Sequence, residues 1–197
     1  MNAKNQKLGE LASVFPGAAK SALLAKESES CAKAKLLKGQ NLGQKGDIQI
    51  DDAQEVFYDP TSRAAKYVLQ VGDVVIMARG SAIRCGYVSS DDHNIMASSN
   101  FLIVRPNTIL GGFVAATLNT KRGAAQLEQL TSGGVILNIT ASSLRDLEIA
   151  VPSAEIQTQI KEIFLASQDL YKVTASLAEQ QWETASARIA SLRDGVT

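Results

Sequence analysis

Residues 154–194 contain neither glycine nor proline, and Asp146-Leu147-Glu148-Ile149-Ala150-Val151-Pro152-Ser153 stands immediately before them. Nothing in such a stretch stops a helix once it has started, and at 1.5 Å per residue it predicts one of roughly 60 Å. A helix that only completes a core is much shorter. The end of the chain is therefore expected to hold two things apart or to join two chains, with a folded domain before it. Ser153 occupies the place of an N-cap and Glu155 lies in the first turn, where the helix dipole favours an acid.

The apolar positions of this helix are Ile156, Ile160, Ile163, Leu170, Val173, Leu177, Trp182, Ala185, Ile189 and Leu192. From Ile163 to Leu192 the stripe advances one residue more than four heptads, so it follows a straight helix better than a strict supercoil. Ser167, Thr174 and Gln181 interrupt it. The expectation is an amphipathic packing helix with short coiled-coil character and limited affinity for its like.

The preceding segment alternates strand and helix signals. Leu8–Phe15 is a short apolar segment closed by Pro16-Gly17, while Ala18–Lys35 is rich in Ala, Lys, Glu and Ser and reads as helical or as a mobile insertion. Leu36–Leu42 and Ile48–Ile50 read as short strands, and Val74–Ala78, bounded by glycines, as a buried central one. Arg79–Arg84 reads as a polar loop, Cys85–Val88 and Phe101–Arg105 as strands, and Pro106 as a stop. Phe113–Asn119 and Ala124–Leu130 predict two helices broken near Gly123. Val135–Ile139 predicts a strand, and Thr140 the cap of a brief helix. The order gives an α+β class, with residues 1–152 as a strand-rich domain and 153–197 as the long helix.

Bulk properties narrow the function. Twenty basic and twenty acidic residues leave no net charge, so one copy is not expected to hold nucleic acid tightly or independently of salt. Residues 1–50 nevertheless carry eight Lys against four acids, which leaves room for a local basic face. Cys31 and Cys85 lie far apart with His93 as the one histidine, giving neither a zinc module nor a disulfide framework. Both thiols read as inert, His93 and the pairs Asp51-Asp52 and Asp91-Asp92 as surface residues, and Trp182 as a packing anchor. With no signal peptide and no long apolar run, the chain is expected to be cytoplasmic, away from membranes. No P-loop, no GxGxxG and no methyltransferase Asn-Pro-Pro-Tyr motif is present, so no cofactor is expected.

Several phrases, in order, resemble the specificity (S) subunits of type I restriction-modification systems. Lys7-Leu8-Gly9-Glu10-Leu11 with Pro16-Gly17 resembles the start of a target recognition domain. Leu69–Ile76 followed by Arg79–Ile83 resembles its central strand and glycine-containing loop, and Ser99–Pro106 the strand after it. Gly133–Thr140 and Leu144–Pro152, ending at Gln157 and Ile160, resemble its close. The family usually carries two such modules in tandem, whereas one is seen here. Its common Pro-Pro and Glu-Gln pairs read Pro152-Ser153 and Ile156-Gln157 in this chain.

The resemblance implies a non-enzymatic reader of double-stranded DNA that docks methyltransferase subunits and, in a full system, a restriction subunit. It also implies that two copies with antiparallel helices restore the two-module arrangement and read a two-part palindrome, their domains more than one DNA turn (~34 Å) apart. Base readout then falls to donors on loops held by a rigid scaffold. Arg79, Ser81 and Arg84 lead the candidates, Lys38, Gln40 and Asn41 form a second group, and Lys121, Arg122, Thr131 and Ser132 a third, for phosphates. Two other readings stay open: an adaptor that binds a protein partner through its long helix, and a small enzyme, for which one histidine leaves little machinery.

Overall fold

The computed structural model describes residues 3–28, 30–80, 82–90, 94–132, 137–193 and 195. It opens with β1 (Lys4–Lys7), a single helical turn α1 (Leu8–Leu11) and β2 (Ala12–Pro16). Short 3-10 turns at Lys20–Ala22, Gly39–Asn41 and Arg63–Tyr67 separate β3 (Ala32–Leu37), β4 (Glu55–Tyr58) and β5 (Val74–Met77). Then come β6 (Arg79–Gly80), β7 (Cys85–Tyr87), β8 (Ile95–Ala97) and β9 (Phe101–Pro106). The remainder is α2 (Gly111–Leu118), α3 (Lys121–Gln129), β10 (Leu137–Asn138), α4 (Ala141–Arg145), β11 (Glu148–Val151) and α5 (Ala154–Arg193).

Four strands form an antiparallel sheet in the order β2-β9-β5-β7, and three form a mixed sheet in the order β4-β3-β8. Val75, Met77, Phe101 and Ile103 from the first share a core with Leu37 and Ile95 from the second. Successive strand residues face opposite ways, so Val74 and Ile76 lie on the other face, where α2 packs against β5, β7 and β9. Covered on both faces, β5 can be apolar throughout, which is why Val-Val-Ile-Met reads as a central strand. A second cluster of Ala34, Leu36, Val56, Tyr58 and Met96 backs the mixed sheet.

The two ends of the domain meet. β1 pairs antiparallel with β11, from Lys4 opposite Val151 to Lys7 opposite Glu148. Arg145 then reaches back to the carbonyl of Val14 (2.6 Å). Thr140 caps α4, its hydroxyl accepting from the Ser143 N–H at 3.0 Å. At the start of α5 the Ser153 carbonyl accepts the Gln157 N–H (3.0 Å). The buried Gln157 side chain accepts from Leu110 N–H and donates to the Pro152 carbonyl, each at 3.0 Å.

The structure departs from the sequence reading at several places. Ile48–Ile50, expected as a strand, forms only an isolated bridge between Leu42 and Ile48, with the Gln49 N–H donating to the Asn41 carbonyl (2.8 Å). The strand expected over Leu36–Leu42 ends at Leu37, because the Asn41 side chain accepts the Lys38 N–H (3.0 Å) and closes a 3-10 turn instead. Ala18–Lys35 is neither a helix nor an insertion throughout, since from Ala32 it pairs with β4 and then β8. Pairing and burial there override the helical propensity of Ala and Lys. The break between α2 and α3 falls at Asn119–Thr120, whereas Gly123 sits inside the first turn of α3. There its N–H donates to the Thr120 cap (3.0 Å), and a side chain would strike the Thr117 carbonyl. Of the strand expected over Val135–Ile139, Leu137–Asn138 is present as β10, and Val135 and Ile136 lie outside the described residues. Asp91, Asp92 and His93 lie outside them too.

Contacts divide the chain into two units, Met1–Lys161 and Glu162–Thr197, the second consisting mainly of the greater part of α5. Among the described residues no helix is long and apolar enough to cross a membrane.

Candidate nucleic-acid interface

The hairpin from Met77 to Cys85 is the element on which the candidate residues gather. The Met77 N–H donates to the Arg84 carbonyl (2.8 Å), closing it at the end of the buried β5. The N–H groups of Ala78 and Arg79 both donate to the Asn100 carbonyl, at 2.9 and 3.2 Å, fixing its rim to the turn before β9. Beyond this, β6 pairs with β10, Arg79 opposite Asn138 and Gly80 opposite Leu137. Gly80 has a φ of +154°, a conformation an L side chain rarely adopts.

Arg79 is exposed, and its Nε donates to Asn138 Oδ1 at 3.2 Å. Arg84 is half-buried and donates from Nη1 to the Leu42 carbonyl at 3.0 Å, so it ties the hairpin to the turn of the second group. Ser81 lies outside the described residues. In the second group Lys38 Nζ donates to Gln54 Oε1 (2.7 Å), and Asn41 is buried with its side chain spent on the turn. Gln40 is exposed between them. The Met77 sulfur lies under Gly39 and its methyl under Gly80, so both loops rest on one side chain.

The third group splits into two parts that reach the hairpin by different routes. Ser132 donates from its N–H to the Asn138 carbonyl (3.0 Å), which sets it beside the partner of Arg79. Thr131 donates its hydroxyl to the Glu128 carbonyl (2.7 Å) and finishes α3. Lys121 and Arg122 are exposed in the first turn of α3, which carries no acid. Asn119 anchors that turn, its Nδ2 donating to the carbonyl of Cys85, next to Arg84, at 2.8 Å. Two cations at a helix N-terminus oppose the dipole, an arrangement a bound anion would reverse.

All three groups therefore attach to one hairpin, and the ten candidates include five cations and no acid. Asn119, which ties the start of α3 to the hairpin, and Asn138, which braces Arg79, were not among the sequence candidates. Their signal is a lone amide at the end of, or inside, a mostly apolar segment, in Phe113–Asn119 and Val135–Ile139. Cys85 is fully enclosed, and burial pushes its thiol well above the ordinary range, so it offers no nucleophile. Among the described residues no cluster of His, Cys, Asp and Glu suits a metal ion.

The helix candidates divide by exposure. Ile160 is half-buried and Ile156 exposed near the start of α5. Within Glu162–Thr197, Ile163, Leu170, Val173, Leu177, Trp182, Ile189 and Leu192 are all exposed, Ile163 at 71% and Trp182 at 68%.

No curated protein matches the chain. Among solved structures it is similar to the S subunit of a type I restriction-modification system from M. genitalium, at 17% identity and a TM-score of 0.57, covering 91% of this chain and 42% of that one. It is also similar to the HsdS subunit from Thermoanaerobacter tengcongensis, at 16% identity and a TM-score of 0.58, covering 93% and 46%. A chain from a structure of the assembly and conformational transition of the type I R-M system gives 16% identity, a TM-score of 0.54, and coverage of 99% and 44%. The chain thus spans less than half the length of each, and at these identities the likeness concerns the fold. The family model of the type I restriction modification DNA specificity domain matches residues 3–180, and the chain belongs to that family.

Proposed function

We infer that this chain reads double-stranded DNA for a type I restriction-modification complex, without chemistry of its own. The domain of residues 1–152 is the reader and 153–197 the pairing and docking helix. The observation that carries the reading is the attachment of all three candidate groups to the Met77–Cys85 hairpin on a two-sided, buried scaffold: the groups carry five cations, three on the hairpin and its neighbouring turn and two in the first turn of α3. Such loops supply both the charge that phosphates require and the donors that base edges require. Lys121 and Arg122 at the start of α3 suit a phosphate, and Arg79 and Gln40 suit bases.

The partner of the helix is a second copy of the chain. An antiparallel two-fold pairing centred between Leu177 and Ala178 opposes Ile163 to Leu192 of the second copy and Leu170 to Ala185. It also sets Asp169 on the same flank as Arg188 of the second copy, within reach of an ion pair. An exposed stripe that is complementary to itself supports this occupant over an unrelated protein. Two-fold pairing implies a palindromic site in two halves, and the assembled pair docks the methyltransferase subunits. The test mixes the chain with its cognate methyltransferase and maps methylated sites. Bipartite palindromes are expected, and contiguous asymmetric sites would refute the paired reading. An adaptor that touches no DNA would leave methylation unplaced.

A further inference from the structure

We propose that Asn138 is a positioning residue that presents Arg79 to a guanine of the target site. This rests on the DNA-reading function above and names the base and the device. Arg79 and Asn138 face each other across the short β6–β10 ladder, and their side chains are joined by the 3.2 Å bond from Nε to Oδ1. Asn138 is itself fixed by the Ser132 N–H on its carbonyl, and its neighbour Ile139 donates to the Ala78 carbonyl (2.9 Å). The acceptor is therefore held by backbone on both sides of the hairpin rim.

A guanidinium has five donors in a rigid plane. With Nε engaged, the pair Nη1 and Nη2 remains, and among the described residues neither has a partner. That end-on fork matches the O6 and N7 acceptors of guanine in the major groove and no other base edge. The other cations near the rim are engaged at the charged end: Arg84 gives Nη1 to the Leu42 carbonyl, which occupies one prong of its terminal fork, and Lys38 gives one ammonium N–H to Gln54. Arg79 is thus an exposed cation with its stem braced and, among the described residues, its fork unspent. Bracing matters because a free arginine loses rotamer freedom on binding, whereas one already held loses less.

The experiment selects bound duplexes from a randomised library with the chain in complex with its cognate methyltransferase subunits, comparing wild type, Arg79→Ala, Asn138→Leu and Asn138→Asp. Circular dichroism melts verify that each is folded. Wild type is expected to select a half-site with a guanine that Arg79→Ala no longer distinguishes, a loss of roughly tenfold or more in discrimination at that position alone. Asn138→Leu removes the acceptor, so it weakens the same guanine preference while other positions and the salt dependence stay unchanged. Asn138→Asp keeps an acceptor for Nε and restores the preference. A purely structural role for Asn138 would lower affinity for all sequences equally, which overturns the proposal. Retention of every guanine by Arg79→Ala overturns it as well and leaves DNA reading intact. Failure of the folded wild type to select any site removes DNA reading and this proposal together.

Discussion

Replacing Arg105 by Met tests how the reading hairpin is supported. Asp73 closes the turn into β5 with its side chain 1% exposed, and Arg105 on β9 covers it at 22%. The carboxylate accepts from Arg105 Nη2 at 2.7 Å and Nε at 3.0 Å, and from the Gln70 N–H at 2.9 Å. Arg105 also donates to the Val68 carbonyl (2.9 Å) and lies over the Phe15 ring, 5.4 Å from its centroid. The substitution preserves much of the apolar stem but leaves a buried anion without its cation, a change that costs about 3–5 kcal/mol. Against a total stability of roughly 5–15 kcal/mol, this is a large fraction, worth about 2–4 °C of melting temperature per kcal/mol in a chain of this size. Adding Asp73→Asn removes the stranded charge, so the double variant should be more stable than Arg105→Met alone. Urea titration followed by far-UV circular dichroism is the assay, because the one tryptophan, Trp182, is exposed on the helix and does not report on the domain core. A loss below about 1 kcal/mol for Arg105→Met, or costs that simply add in the double variant, would refute the argument.

Three further outcomes are expected. Asp169→Arg should lower the mass seen by light scattering at a fixed concentration, and adding Arg188→Asp should restore it by reversing the flanking pair. Restoration failing while the single change dissociates the pair rules out the register centred on Leu177 and Ala178. Lys121→Ala should weaken binding about equally for all DNA sequences and reduce the slope of log affinity against log salt by about one; a sequence-selective effect would contradict a phosphate contact. Cys31, half-exposed, should react with a thiol reagent in the native chain while Cys85 reacts only on unfolding. Since the raised Cys85 pKa belongs to the folded state, the unfolded thiol ionises first, and stability from this group falls as pH rises above the ordinary thiol range. Equal native reactivity of both thiols would show that β7 is less enclosed than its burial indicates.

Sequence pattern revealed what depends on local periodicity. The long helix, the two-faced burial of β5 and the Thr140 cap each follow from a few adjacent residues whose chemistry permits little else. What it missed depends on partners distant along the chain. Ala32–Lys35 has the composition of a helix and becomes a strand because β4 and β8 complete its hydrogen bonds. Asn41 resembles an exposed polar loop residue, yet its carbonyl oxygen replaces a backbone partner and draws the side chain inside. The hairpin could be identified as a polar loop, but not that β10, more than fifty residues later, would lie beside it and supply the amide that holds Arg79.

The same contrast divides the candidate residues by what their polar atoms already do. Arg84, Asn41, Thr131 and Lys38 each engage a carbonyl, a backbone N–H or a side-chain amide, and those bonds hold the loops in place. Gln40, Lys121 and Arg122 are exposed on loops or turns so held, and Arg79 is braced through one nitrogen only. A side chain anchored through its polar end must break or share that bond before it can present the end to a base, and that cost offsets what it gains, whereas Arg79 is held through Nε and keeps its terminal fork forward. Specificity should therefore change with the second set at little expense in stability, whereas substitutions in the first set should loosen the loops before they alter which base is read. Side by side, Arg79→Ala and Arg84→Ala separate the two roles. The first should shift base preference with an unchanged melt, and the second should lower the melting temperature. The opposite pattern would assign base reading to Arg84 and bracing to Arg79.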